Sequence, residues 1–294
     1  MCYSMQNWLI DLLRDPATGS VLTYDAEGQC LRGDGGSYGV AEGFPVFVEA
    51  GARGAEFDYA AHYAEDAEQF DYFREKTDRL TATHLRLLRQ SVVRSVPRSA
   101  RLVLDVGCGS AFVARQLCPK GVRVVSMDIA PANVRGALSR YAYDTHAALV
   151  ADAYRLPLAD GVFDCIVASE IIEHTVDPQG FLVALLPKLK PGGTLVVSTP
   201  YKEQIAYSLC IHCNRLTPHN AHLHSFDKEK VRRMVEPLPA SIVGMRLVVN
   251  KLLLRSHGAG LLSRLGYPLW RVADGACNLI IPKAEHFIIT LKRI

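Results

Sequence analysis

Apolar residues gather along this chain in short unbroken runs between residues 102 and 199: Leu102-Val-Leu-Asp-Val106, Gly121 to Asp128, Ala148 to Ala153, Gly161 to Ser169 and Gly193 to Thr199. Runs without polar alternation predict strands covered on both faces. The stretches between them carry helical patterns, such as Phe112 to Leu117 and Phe181 to Leu189, the second stopped by Pro191-Gly-Gly193. Strands alternating with helices predict a parallel sheet with right-handed crossovers. Ligands of such sheets bind beyond the carboxyl ends of the strands. The first three runs carry Asp105, Asp128 and Asp152 at or near their ends, so acids collect along that edge. Ser241 to Val249 and Glu285 to Lys292 read as the last two strands, and Asp227 as the N-cap of a helix over Lys228 to Val235.

The pattern changes outside this region. Up to about residue 50 the runs are short and punctuated by Gly and Pro, among them Val21 to Tyr24 and Gly43-Phe-Pro-Val-Phe-Val48, which predicts a small β-rich domain. Gly51 to Ala55 reads as a linker, followed by the aromatic stretches Phe57 to Tyr63 and Phe70 to Phe73. Leu85, Leu88, Val92 and Val96 lie at helical spacing. The expected organisation is therefore 1–50, a helical linker and lid over 51–97, and a main domain over 98–294 with insertions at 201–226 and 252–283. The later insertion, with Leu261-Leu-Ser-Arg-Leu-Gly-Tyr-Pro-Leu-Trp270, reads as a lid, a homodimer contact or a surface for a greasy acceptor.

Composition narrows the class. With 294 residues, 49% of them hydrophobic, the chain buries a sizeable core. A net charge of +3 without a long basic run argues against a dedicated nucleic-acid surface. No run is long enough to span a bilayer, and Met1 to Trp8 lacks the basic start and apolar stretch of a signal peptide. Eight cysteines, several of them in strand sequence, fit a reducing cytoplasm better than a disulfide framework.

Candidate chemistry starts at Asp105-Val-Gly-Cys-Gly109, where a strand enters a tight turn. The glycines let backbone approach a ligand without an intervening Cβ. Phe112 stands where a dinucleotide fingerprint has its third glycine, so the turn alone leaves the ligand open. Asp105 either holds the N–H groups of the turn or meets a cationic ligand. His174, just past the fourth run, is a candidate general base, with local capping as the alternative. Cys210 and Cys213 with His222 and His224 have the ligand types of a structural zinc site. Packed cysteines with histidines facing solvent or an acceptor are the alternative.

In sequence these segments resemble the class I S-adenosylmethionine-dependent methyltransferases, small-molecule, quinone-biosynthesis-like branch. The resemblance rests on Asp105-Val-Gly-Cys-Gly109, Asp128, Asp152-Ala153, Leu156-Pro-Leu158 with Phe163-Asp164, Glu170-Ile-Ile-Glu-His174 and Leu189-Lys-Pro-Gly-Gly193. Ala111 departs from the family's frequent third glycine. The resemblance implies an α/β fold: a Rossmann-like, seven-stranded, mostly parallel sheet with helices on both faces and the last two strands antiparallel. It implies S-adenosylmethionine bound by Asp105, Gly107, Cys108, Gly109, Asp128, Ile129, Asp152, Ala153, Ser169 and Glu170. The expected activity is methylation of a small-molecule or lipid-like acceptor. A cofactor-binding scaffold and an RNA or protein methyltransferase are the rival readings. His222-Leu-His-Ser-Phe226 matches a run that relatives carry near the acceptor pocket, which makes His222 and His224 acceptor-facing candidates. The N-terminal segment resembles the zinc-ribbon-like activator domain of some methyltransferases. Asp15 and Thr18 stand where its first cysteine pair would be, so the domain is expected to be metal-free.

Overall fold

A computed structural model describes residues 5–48, 71–74, 77–209, 216–256 and 266–294. The expected linker at Gly51 to Ala55, the aromatic stretch Phe57 to Tyr63, the pair Cys210 and Cys213, and Leu261 to Leu265 lie outside the described residues. The chain divides into two compact units. One holds Met1–Arg74, Pro97–Val167 and Val183–Thr194, and the other holds Glu75–Val96, Ala168–Leu182 and Leu195–Ile294.

The first unit begins with helix α1 (Asn7–Ile10) and strands β1 (Thr23–Asp25), β2 (Cys30–Gly33), β3 (Gly36–Ala41) and β4 (Phe44–Pro45). These strands pair in sequence order as a four-stranded antiparallel sheet. Its organising group is Asp15, which is buried and accepts from Ala17 N at 2.8 Å, Gly35 N at 2.7 Å and the Tyr38 hydroxyl at 3.0 Å. Burial alone raises this carboxyl, yet the backbone N–H groups and Tyr38 outweigh it and hold Asp15 below its ordinary range. A Cβ at Gly33 or Gly35 would sit within 2.6 Å of the Asp15 carboxylate, so the close approach requires glycine at both. A carboxylate thus ties the turns of this sheet.

The same unit contributes β5 (Leu102–Val106), α3 (Phe112–Leu117), β6 (Arg123–Asp128), α4 (Pro131–Arg140), β7 (His146–Val150) and most of β8 (Phe163–Ser169). β5 pairs parallel with β6, and β6 with β7. The edge of β7 is covered: Val46 bridges Val150, Phe47 N donates to Val150 O at 2.9 Å, and Phe44 packs with Val134, Leu138 and Ala148. Covering an edge strand hides its unpaired backbone groups. β7 starts and ends earlier than the sequence pattern suggests, which leaves Asp152 in the turn beyond it.

The second unit contains α2 (Arg79–Val93), α5 (Pro178–Leu185, whose last three residues lie in the first unit), the end of β9 (Leu189–Pro200), the short pair β10 (Tyr207–Leu209) and β11 (Leu216–Pro218), α6 (Lys228–Val235), β12 (Ala240–Asn250), α7 (Lys251–Arg255), α8 (Tyr267–Ile280) and β13 (Ala284–Arg293). Asp78 caps α2 and Asp227 caps α6 through backbone N–H groups. β9 begins four residues before the expected Gly193: the helix stops at Leu185 and the strand bends at Gly192, whose φ is +73°. β12 and β13 run antiparallel. In all, seven strands bond in the order β12-β13-β9-β8-β5-β6-β7, the Rossmann-like mostly parallel sheet that the sequence implied.

Within the late insertion, α8 is fixed by buried polar groups. Asp274 accepts from Val249 N at 3.0 Å and Asn250 N at 2.6 Å, and Asn250 Nδ2 donates to Asn278 Oδ1 and Ile281 O, both at 2.8 Å. Val249 has a φ of +60°, a costly conformation for a β-branched residue, and the Asp274 carboxylate holds its N–H. On its other face α8 exposes Leu269, Val272, Leu279 and Ile280.

Candidate functional site

β5 delivers the chain into a turn in which Gly107 and Gly109 take φ of +66° and +46°, and Ala111 follows at +48°. These left-handed positions explain the glycines and make Ala111 a mildly strained start for α3. The turn is held by Asp128 at the end of β6, which accepts from Gly109 N and from Ala130 N, both at 3.0 Å. Asp105, inside the motif, makes no such contact to the turn through its Oδ2. Asp105 is buried, and its Oδ2 has no hydrogen-bond partner among the described residues. Burial first, and Asp128 second, push the Asp105 carboxyl well above its ordinary range. Burial also raises Asp128, offset by its backbone donors, and raises the Cys108 thiol well above its ordinary range.

These features fit S-adenosylmethionine. The turn offers backbone without a side chain at Gly107 and Gly109, Asp128 is an acid for hydroxyls, and an orphaned carboxylate oxygen is completed by a cation. Ile129 follows Asp128 half-buried, and Asp152 and Ala153 are half-buried in the turn after β7, where Asp152 accepts from Tyr154 N at 2.9 Å. The sequence did not single out Tyr72, whose ring lies 3.6 Å from where a Gly109 Cβ would be. Nearby, Phe73 packs so closely on Gly136 that a Cβ there would meet its ring at 2.3 Å.

The second unit carries its own polar cluster at the ends of β8 and β9. Glu173, His174 and His222 bring ligand atoms within 4.8 Å of one another. His222 Nδ1 lies 2.5 Å from Glu203 Oε2, His174 Nδ1 faces Ala221 O at 3.3 Å, and the two rings meet edge-on at 4.7 Å. Glu173 is buried, neither of its oxygens has a hydrogen-bond partner among the described residues, and burial followed by the Glu170 charge raises it well above its ordinary range. Two imidazoles whose Nδ1 atoms face acceptors, beside a buried carboxylate, form a set that can hold a divalent cation. Among the described residues His224 is not part of this set. The Nε2 of His224 faces Val176 O at 3.2 Å and its ring meets Phe226 edge-on. Asn220 and Ala221, at φ of +56° and +55°, turn the backbone just ahead of His222.

Ser169 and Glu170, expected at the cofactor, engage side chains of this unit. Ser169 Oγ lies 2.8 Å from Ser198 Oγ, Ser198 Oγ donates to Glu170 Oε1 at 2.7 Å, and Glu170 Oε2 lies 2.8 Å from His286 Nδ1. Burial alone would raise Glu170, but His286 and Ser198 hold it below its ordinary range. Glu203, Ser198, His84 and His286 carry no local sequence signal, because their partners lie far away in the chain.

Residues 104–197 match the sequence model of a methyltransferase domain. Over 140 residues the chain is 33% identical to a ubiquinone biosynthesis O-methyltransferase of Xylella fastidiosa (strain 9a5c), covering 45% of this chain and 56% of that protein. The mitochondrial ubiquinone biosynthesis O-methyltransferase of Homo sapiens is 30% identical over 141 residues, covering 42% of this chain and 37% of that one. The chain thus spans about half, or less, of the curated relatives it matches. Among solved structures, the Burkholderia thailandensis 1,6-didemethyltoxoflavin-N1-methyltransferase, with 1,6-didemethyltoxoflavin and S-adenosylhomocysteine bound, aligns with a TM-score of 0.51 at 17% identity, over 92% of this chain and 98% of that one. At that identity the likeness shows the fold.

Proposed function

We propose, on the premise that residues 104–197 form a class I methyltransferase domain, that this protein transfers a methyl group from S-adenosylmethionine to a small-molecule acceptor. The observation that carries the reading is the Gly107–Gly109 turn tied by Asp128, with the orphaned Asp105 carboxylate beneath it. Asp105, Gly107, Cys108, Gly109, Asp128, Ile129, Asp152 and Ala153 are the proposed cofactor residues. Bound S-adenosylmethionine supplies a methyl already activated by its sulfonium. The protein's part is alignment of the acceptor and, for a hydroxyl, removal of its proton. The relatives named for ubiquinone O-methylation favour an oxygen acceptor.

Glu173, His174 and His222 are the proposed acceptor-orienting group, acting through a divalent cation, in place of zinc at Cys210 and Cys213. The exposed Leu269, Val272, Leu279 and Ile280 support the homodimer reading of the late insertion. Cys30, Cys108, Cys118, Cys165 and Cys277 are all free, which favours a reducing compartment such as the cytoplasm. No helix among the described residues is long and apolar enough to cross a membrane. The test is incubation of the purified protein with methyl-labelled S-adenosylmethionine and a fractionated metabolite extract, with cofactor affinity measured by calorimetry. Absence of both binding and label transfer overturns the reading.

A further inference from the structure

The second unit holds one more chain of polar groups, outside the Glu173–His174–His222 set. It runs from Glu170 at the end of β8, through His286 near the start of β13, to His84 in the first turns of α2. Glu170 Oε2 is 2.8 Å from His286 Nδ1, an ion-pair approach that falls short of an in-line hydrogen bond, and His286 Nε2 is 2.5 Å from His84 Nε2. Ser198 Oγ donates to the other carboxylate oxygen, Glu170 Oε1, and so fixes the carboxylate's orientation. Glu170 itself sits at a φ of +54°, a strained conformation for a residue with a side chain, of the kind that clusters at functional positions.

The order of these groups sets their protons. An ionised Glu170, 2.8 Å from His286 Nδ1, favours the tautomer of His286 that keeps its proton on Nδ1. His286 Nε2 is then an acceptor, His84 Nε2 carries the proton between the two rings, and the lone pair of His84 falls on Nδ1. His286 is buried, whereas His84 is half-buried and is the more exposed end of the chain. A carboxylate behind an imidazole stabilises the imidazolium formed when that imidazole accepts a proton. The groups acting on His84 are His286 and Lys251, which disfavour its charged form, and Glu285 and Glu170, which favour it. Burial, the largest effect, lowers its pKa, so His84 is neutral and able to accept a proton at neutral pH.

We infer that His84 is the proton acceptor for the acceptor hydroxyl, with His286 and Glu170 as the positioning residues behind it. The inference rests on the methyltransferase reading above. In the step, the hydroxyl proton passes to His84 Nδ1 as the oxygen lone pair forms the bond to the methyl carbon. The methyl–sulfur bond breaks with its electron pair going to sulfur. The new imidazolium shares its Nε2 proton with His286 against the Glu170 charge, and the added proton leaves to water after product release. His174 and His222, which with Glu173 would hold a cation, would orient the acceptor, because an imidazole so bound would accept no proton.

The experiment compares wild type with His84→Ala, His286→Gln and Glu170→Gln. It uses labelled S-adenosylmethionine and a panel of phenols and catechols as acceptor probes between pH 6 and 9.5, with cofactor affinity and thermal stability measured in parallel. His84→Ala is expected to lose kcat by roughly 10²–10⁴-fold at pH 7, with KM and cofactor affinity nearly unchanged. Its activity should recover as pH rises and the hydroxyl ionises unaided, and added imidazole should rescue it. His286→Gln should displace the acid limb of the pH profile rather than abolish turnover. Nitrogen-15 NMR of histidine-labelled protein should find His84 protonated on Nε2 and not on Nδ1. A His84→Ala enzyme with wild-type kcat and pH profile overturns the assignment, as does an equal loss at every pH without imidazole rescue, or the opposite tautomer. Wild-type protein that binds no S-adenosylmethionine overturns the functional reading and this inference with it. Cofactor binding with the opposite tautomer overturns the inference alone.

Discussion

The acids at the Gly107–Gly109 turn and the acids at the end of β8 face the same cost of burial and meet it differently. Asp128 is held by backbone N–H groups from Gly109 and Ala130, donors that no side-chain substitution removes. Glu170 is held by Ser198 and His286, side chains contributed by two other strands. Asp105 and Glu173 each keep oxygens without a partner among the described residues, one in each unit. The first arrangement is stiff and suits a ligand that does not vary. The second can be retuned one side chain at a time, which suits chemistry specific to one acceptor.

The largest effect expected is from Asp128→Ala. It deletes the acid proposed for the cofactor hydroxyls and frees two backbone donors, so S-adenosylmethionine affinity should fall on the order of 100-fold, about 3 kcal/mol. Calorimetry giving wild-type affinity would remove Asp128 from the site and collapse the contrast.

Asp15 and Asp274, each a structural acid of one unit, sharpen the contrast through opposite pH signs. Either substitution to Ala strands backbone N–H groups and should cost about 2 kcal/mol by denaturant unfolding. Asp15 lies below its ordinary value of 3.8 in the folded chain, so its contribution is present above that value and is lost as pH falls through the lower folded one. Asp274 lies above 3.8 because of burial, so keeping it charged costs stability as pH rises from 3.8 through its folded value. The gap between wild type and Asp15→Ala should therefore widen as pH rises through the carboxylate range, while the gap for Asp274→Ala narrows. Parallel curves would show that the two acids are buried alike.

Next, Leu279→Glu with Ile280→Glu should leave unfolding nearly unchanged, since the two side chains are 87% and 80% exposed. Sedimentation would show whether these substitutions turn a dimer into a monomer, and an unaltered dimer would remove this face from the contact. The smallest change expected is for Glu229→Ala. Its exposed i,i+4 pair with Arg233 on α6 is worth no more than about 0.5 kcal/mol. A larger loss in thermal unfolding would mean that charge matters more on this unit's surface than burial does.

The legible part of the molecule follows from the range of the forces involved. Val103, Leu104, Val124 and Val125 are completely buried, and a strand covered on both faces writes itself into consecutive residues. The Asp128 position was readable for the same reason: a strand–helix–strand unit fixes the distance between the first turn and the next strand end. Less legible was the surrounding of His222 and His224, which alternation along an extended segment places on one side. The left-handed turn at Asn220 and Ala221 gives them different partners.

The sequence by itself determined the strand and helix order and the glycine turn with its acids, because each depends on residues within one supersecondary unit. Only the tertiary structure decided that Asp15 ties the N-terminal turns, that Glu173 joins His174 and His222, and that Glu170 joins His286 and His84. Those groupings need side chains from separate elements to share one buried place. Each is favoured because a buried charge or donor is costly until a partner reaches it, wherever in the chain that partner lies.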